Sequence, residues 1–195
     1  MSLFRETADV SVRPAVPGDD VAMTAIQVGA WRSSQADVLG DDVLDALDTV
    51  RMREQWAAAI SSPPGPGFAV LVACAGADVV GFAAVAPGQV LALEVEPRHQ
   101  RGGHGSRLLA AAVDRLRRAG ADEVVTWVPD GDAARAASLA GSGLGPDPRT
   151  RPPATGLRDV AERRCTAQLR GPRAPPSPHP DTPAHRYPPR HTSIA

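Results

Sequence analysis

The chain contains no lysine, so all 21 of its basic residues are arginine. A nucleotide-hydrolysing loop of the Walker type needs Lys-Ser/Thr after its last glycine, and this absence argues against one. Aromatic residues reach only 4%, which leaves Ala, Val and Leu to fill the core as small packed side chains. The two cysteines, Cys74 and Cys165, lie in apolar, strand-like segments. They have neither the paired spacing of a zinc site nor the density of a disulfide scaffold, and they read as buried, reduced thiols. No metal-ligand pattern is present elsewhere. No stretch approaches the roughly 18 apolar residues of a membrane span, and MSLFRETADVSVRP has no charged start leading into an apolar run. A soluble, cytoplasmic protein without membrane contact is expected. Net charge is −1, and no basic run could neutralise several phosphates, so nucleic acid is not an expected partner.

Composition shifts near Arg170. From there to Ala195 the chain is proline-rich and nearly free of aliphatic side chains, with four arginines against one aspartate. Such a segment cannot bury enough surface to offset the entropy of ordering, and it reads as a disordered tail. The expected organisation is an N-terminal extension over 1–9, one domain over 10–169 and the tail over 170–195.

Within the domain, strand-like and helix-like periods alternate. Val10–Ala15 reads as a strand, and Asp19 or Asp20 as the cap of a helix running to about Ala30. A second helix is expected from about Asp42 to Ile60, with Val43, Leu44, Leu47, Val50 and Met52 as its apolar stripe. Phe68–Ala75 and Val79–Val85 form a hairpin around Gly76-Ala77-Asp78, and Gln89–Val95 adds a strand. Gly103–Ala119 is a helix, Val124–Val128 a strand, Asp132–Ala140 a short helix and Arg163–Leu169 a last strand. The order β, α, α, β, β, β, α, β, α, β predicts a mixed α/β domain.

One segment carries a chemical signal: Val95-Glu96-Pro97-Arg98-His99-Gln100-Arg101-Gly102-Gly103-His104-Gly105-Ser106-Arg107-Leu108-Leu109. A strand stops at a proline, a glycine-rich turn follows, and a helix opens with Leu108, Leu109, Ala112, Val113 and Leu116 on its buried side. Successive amides at a helix N-terminus favour a phosphate. A dinucleotide fingerprint would need a small residue where Leu108 stands, which argues against hydride transfer.

This segment resembles the pyrophosphate-binding signature Gln/Arg-x-x-Gly-x-Gly of the GNAT superfamily, acyl-CoA-dependent N-acetyltransferases, here Gln100-x-x-Gly103-x-Gly105 preceded by Val95-x-Pro97. Val12-Arg13-Pro14-Ala15, Ala30-Trp31-Arg32 and Asp132-x-x-Arg135-x-x-Ser138-x-x-x-x-Gly143-Leu144 are similar to further parts of that family. The resemblance implies a mostly antiparallel mixed sheet flanked by helices, with acetyl-CoA as co-substrate. By resemblance, the amides of Gln100, Arg101, Gly102, Gly103, His104, Gly105 and Ser106 receive the pyrophosphate, with Arg101 and Arg107 adding charge. The Val95 amide, or a neighbour's, faces the thioester carbonyl. The implied reaction is acetyl transfer to a primary amine of a small molecule or protein, by direct attack in a ternary complex; the alternative is a non-catalytic acyl-CoA-binding or regulatory module. A homodimer stays open.

Attack requires a neutral amine and therefore a base. Glu94 interrupts an apolar run and shares a strand face with Ala92 and Glu96. It is either a desolvated base lining the cleft or a partly exposed carboxylate, with Glu96 in reserve. Counting back from Gly143, Leu139 stands where the family often carries a tyrosine acid. Water or Ser138 then protonates the leaving thiolate, or the thiolate leaves unassisted. The acceptor pocket is expected near Trp31, Arg32, Ser34, Asp37, Asp41 and Asp42, and Trp56 and Trp127 are read as core.

Overall fold

In the computed structural model, residues 10–152 and 160–169 are described; the proposed extension over 1–9 and tail over 170–195 lie outside them. The elements are β1 (Val10–Pro14), α1 (Asp19–Ser34), α2 (Ala36–Leu39), α3 (Asp41–Asp45), α4 (Thr49–Ser61), β2 (Ala69–Ala75), β3 (Asp78–Ala86), β4 (Gln89–Val95), a 3-10 turn at Pro97–His99, α5 (His104–Arg118), β5 (Glu123–Pro129), α6 (Ala133–Gly141), β6 (Gly145–Arg151) and β7 (Glu162–Gln168). One seven-stranded sheet runs in the order β1-β2-β3-β4-β5-β7-β6. Its neighbours pair antiparallel except β4 with β5.

Strand alternation sorts the core into two layers. Val70, Val72 and Cys74 of β2 with Phe82 and Ala84 of β3 face α1, where Met23 and Ile26 bury against them alongside Trp56 of α4. Leu71, Ala73, Ala83 and Val85 face the other way, onto Leu108, Leu109, Ala112 and Leu116 of α5. Gly81 is required where α5 crosses: a Cβ there would stand 2.9 Å from the Glu94 carbonyl oxygen and 3.1 Å from Leu108 Cδ1. Both cysteines are free and buried, and burial raises the Cys165 thiol above its ordinary range, opposed by Arg163.

Three expectations are corrected. The helix expected over Asp42–Ile60 is broken, because α3 stops at Asp45 and Asp48 restarts the chain as the cap of α4. The Asp48 carboxylate accepts the Arg51 N–H at 2.9 Å, the local competition by which short polar side chains interrupt helices. Val50 of the supposed stripe is 69% exposed. At α1 the cap position is Gly18 at φ 104°, and the two aspartates stand inside the first turn. There Asp19 accepts from Val16 N–H and both Arg13 Nη atoms, and Asp20 accepts from Gly18 N–H and Arg53 Nε. Finally, β6 was not foreseen because Pro146 and Pro148 break its pattern; as the outer strand of the sheet it tolerates the missing donors.

Candidate functional site

The parallel pair is where the sheet opens. β4 and β5 share one register position, Gln89 with Val125, next to the bond from Val125 N–H to the Gly88 carbonyl at 3.0 Å. β5 is then claimed along its full length by β7, from Glu123/Gln168 to Pro129/Glu162. Beyond Gln89, β4 has β3 on one side and a gap on the other. The Glu96 amide donates to Val80 of β3 at 2.9 Å, and since amides alternate sides along an extended strand, the Val95 N–H points into the gap. An irregularity between Ala84 and Val85 leaves Leu91 of β4 without a partner in β3. Such bulges re-aim side chains, and Leu91 is 54% exposed.

At the open end lies the glycine-rich turn. Arg101 at φ 62° and Gly103 at φ 82° put two nearby residues in the left-handed region, which curls the backbone into a cradle of amides. The first helical bond of α5 runs from Arg107 N–H to the Gly103 carbonyl at 3.1 Å, so the His104, Gly105 and Ser106 amides precede the ladder and carry the positive end of the helix dipole. Gln100 has a role that sequence reasoning missed: its side-chain amide donates to the Val95 carbonyl at 3.2 Å and ties the turn to the strand end. Arg107 folds back to donate to the Gly102 carbonyl at 3.3 Å. Beneath the turn the His104 ring is buried, with Nδ1 unpartnered among the described residues. Desolvation, helped by His99 and Arg107, lowers its pKa, so the ring is neutral at pH 7.

On the α1/α4 side of the sheet a cavity of about 740 Å³ runs to the gap. Trp31, Trp56 and Trp127 all line it, as do Met52, Phe68, Leu91 and Glu94. Trp56 and Trp127 were expected in the core. Trp56 does pack against the α1-side core, edge-on to Phe82, and donates to Gln27 Oε1 at 2.8 Å, whereas Trp127 lies outside the core clusters and carries the Arg151 guanidinium 4.4 Å above its ring. Of the residues expected at the acceptor pocket, Trp31 alone lines this cavity. Arg32 is engaged by Asp45 and the Leu44 carbonyl, and Ser34 bonds the Ala30 carbonyl. Asp37, Asp41 and Asp42 are exposed.

Glu94 is 5% exposed and sits on the cavity side with Ala92, as alternation foresaw. Its partner was not foreseen. Arg135 Nη2 spans both carboxylate oxygens at 2.8 Å, and Trp31 Nε1 donates to Oε1 at 3.3 Å. A carboxylate offers about four acceptor sites, so a place remains on Oε2. Asp132, the cap of α6, accepts from the Arg135 N–H at 2.9 Å, and its Oδ2 lies 3.4 Å from Arg135 Nε. Burial works against the Arg135 charge, but the two carboxylates outweigh it and raise its pKa. The signal for Arg135 was its position three residues after a capping aspartate, on a helix face turned toward the sheet.

The remaining candidates stand apart. Glu96 pairs with Arg98 Nε and His99 Nδ1, each at 2.9 Å; burial opposes its charge, but these two partners hold its pKa below the ordinary value, which weakens it as a base. Ser138 is exposed on α6 and is not part of the cavity lining. Leu139 is 5% exposed and packs in the α5-side core. Among the described residues no group of His, Cys, Asp and Glu is placed to hold a metal, and no helix is long and apolar enough to cross a membrane.

Residues 30–143 match the family model described as the acetyltransferase (GNAT) family. No curated protein matches the chain. Among solved structures, a GCN5-related N-acetyltransferase from Rhodopseudomonas palustris superposes with a TM-score of 0.67 at 22% identity, over 82% of this chain and 95% of that one. YncA from Salmonella typhimurium, a putative acetyltransferase solved with acetyl-CoA, gives 0.64 at 23% identity over 87% and 99%. The PaiA N-acetyltransferase from Thermoplasma acidophilum, in complex with coenzyme A, gives 0.65 at 15% identity over 80% and 98%. At these identities the likeness is one of fold.

Proposed function

The chain belongs to the GNAT acetyltransferase family, and from that premise we propose that it transfers an acetyl group from acetyl-CoA to a primary amine by direct attack in a ternary complex. The observation that carries this reading is the coincidence of an opened sheet and an amide cradle. The β4–β5 gap begins beyond Gln89/Val125, and the turn with Arg101 and Gly103 at positive φ stands at its open end.

The residues present fit the co-substrate. Amides from Gln100 to Ser106 hold its pyrophosphate, with the guanidiniums of Arg101 and Arg107 near by. Its bound thioester supplies an electrophilic carbonyl. The Val95 N–H, aimed into the gap, stabilises negative charge growing on the carbonyl oxygen, an effect of about 3–4 kcal/mol for one such donor. Glu94 holds the incoming ammonium at the free site on Oε2 and takes its proton, directly or through water. With Leu139 buried, position 139 offers no acid; water or the exposed Ser138 protonates the thiolate, or it leaves unprotonated. Losing a general acid slows such a step by about 10²- to 10⁴-fold. Two buried free thiols and the use of acetyl-CoA suit the reducing cytoplasm.

Thiol release from acetyl-CoA over an amine panel tests the reading. In the Glu94→Gln variant kcat should fall by about 100-fold or more, a far larger effect than any change in the acetyl-CoA Kd. An unaltered pH–rate profile in that variant would clear Glu94 of proton transfer. Tight coenzyme binding by the wild type without turnover of any amine would instead favour a binding module.

A further inference from the structure

Resting on the transferase reading, the cavity's charge balance narrows the acceptor. Three arginines line it: exposed Arg51 shares the lining with Asp48 at the start of α4, and the other two are paired. Arg151 is paired with Glu162 at 2.5 Å and stacked over Trp127. Arg135 is enclosed by Glu94 and Asp132, whose side chains are 6% and 3% exposed. At the end nearest the gap, two buried carboxylates therefore face one guanidinium, an excess of one negative charge. Elsewhere the lining combines tryptophan, leucine, methionine and phenylalanine with Gln27, Gln35, Gln55, Asp48 and Arg51. An anionic group brought beside Glu94 would lose its water there without gaining a free cation, whereas an ammonium gains both Glu94 and the aromatic faces.

We propose that the acceptor is a small hydrophobic amine, an arylalkyl or long alkyl primary amine without a carboxylate, its ammonium on Glu94 and its apolar body between Trp127 and Trp56. A lysine side chain, thinner than the cavity, would leave those walls unfilled, and an amino acid would bring its carboxylate into the negative end. The reaction balances simply: a C–N bond forms as the C–S bond breaks, and the ammonium sheds two protons. One leaves on the coenzyme thiol and the other reaches solvent by way of Glu94.

The test is thiol release by the full chain with acetyl-CoA and matched acceptors: 2-phenylethylamine, tryptamine and octylamine against phenylalanine and a lysine tripeptide. The kcat/KM for 2-phenylethylamine should exceed that for phenylalanine by about 100-fold or more and that for the peptide by about tenfold. Trp127→Ala should raise the KM for tryptamine by about tenfold and leave that for acetyl-CoA unchanged. Because that variant also removes the Arg151 stack, a second uses the exposed bulge: Leu91→Arg adds a cation to the wall and should shrink the preference for 2-phenylethylamine over phenylalanine by about tenfold. Equal or faster turnover of phenylalanine or of the peptide overturns the substrate class while leaving the transferase reading intact. Absence of thiol release with every acceptor overturns the transferase reading, and the substrate class with it.

Discussion

Arg135→Met would strand two buried carboxylates. In the native chain the guanidinium touches both Glu94 oxygens at 2.8 Å and lies 3.4 Å from Asp132, with only 24% of its own side chain exposed. Removing one partner of a buried ion pair costs about 3–5 kcal/mol, because the remaining charge is left without either water or a counter-ion. Partial exposure of Arg135 argues for the lower end, about 3 kcal/mol, a large share of the roughly 5–15 kcal/mol that holds a domain together. Methionine keeps the length and apolar stem of the side chain, so the loss reports charge rather than a cavity. Urea unfolding at pH 7 should show a lower midpoint with an unchanged slope. Adding Glu94→Gln removes one of the two stranded charges, and the double variant should recover about 1–3 kcal/mol relative to the sum of the single changes. A loss under about 1 kcal/mol, or strict additivity in the cycle, would show that solvent already screens the cluster, and the charge argument for the acceptor would weaken with it.

Gly103→Asp sets a side chain at φ 82° and a negative charge beside the pyrophosphate cradle; it should abolish acetyl-CoA binding by calorimetry, and wild-type affinity would remove the turn from the site. Gly81→Ala pushes a methyl against the Glu94 carbonyl and Leu108, so thermal melts should report a loss of about 1–3 kcal/mol, accompanied by a higher KM for acetyl-CoA as β4 shifts. The Asp19 pKa is lowered by its Arg13 hydrogen bonds, against burial and helped by the Val16 amide. Its contribution is therefore complete above the unfolded carboxylate pKa of about 3.9 and disappears as pH falls through the lower folded value; Asp19→Asn should flatten that acid limb of the stability curve and cost about 1 kcal/mol at pH 7.

Local rules located much of this molecule, and their failures have physical causes. Gln89–Val95 was read to the residue because its apolar run ends next to Glu96-Pro97, and α5 to within one residue at each end because glycine, dipole and apolar stripe agree. The break at Asp48 needed knowledge of a capping bond, which an apolar pattern hides. Strand β6 needed its place at the sheet margin, since Pro146 and Pro148 forbid a central strand. In the site, Glu94 and the cradle were visible because they lie within one short segment. The Glu94–Arg135 pair, 41 residues apart, and the meeting of three tryptophans from α1, α4 and β5 depend on how the sheet is stacked, which no local period encodes.

The same ion pair bears on why the sheet stays open by a fixed amount. Among the described residues, polar contact between β4 and the half of the sheet beginning with β5 occurs at Gly88 and Gln89 with Val125, and again at Glu94 with Arg135. The first is a backbone ladder and closes the narrow end. The second reaches from β4 to α6 across the gap itself, with Asp132 fixing the guanidinium by capping the helix that carries it. A ladder there would draw the strands to about 4.8 Å and bury the Val95 amide in a backbone hydrogen bond. A side-chain bridge joins the two halves while leaving that amide without a strand opposite it. The residue proposed to handle the amine's proton therefore also braces the opening through which the thioester must enter, so substitutions at position 135 should alter coenzyme affinity and amine turnover together.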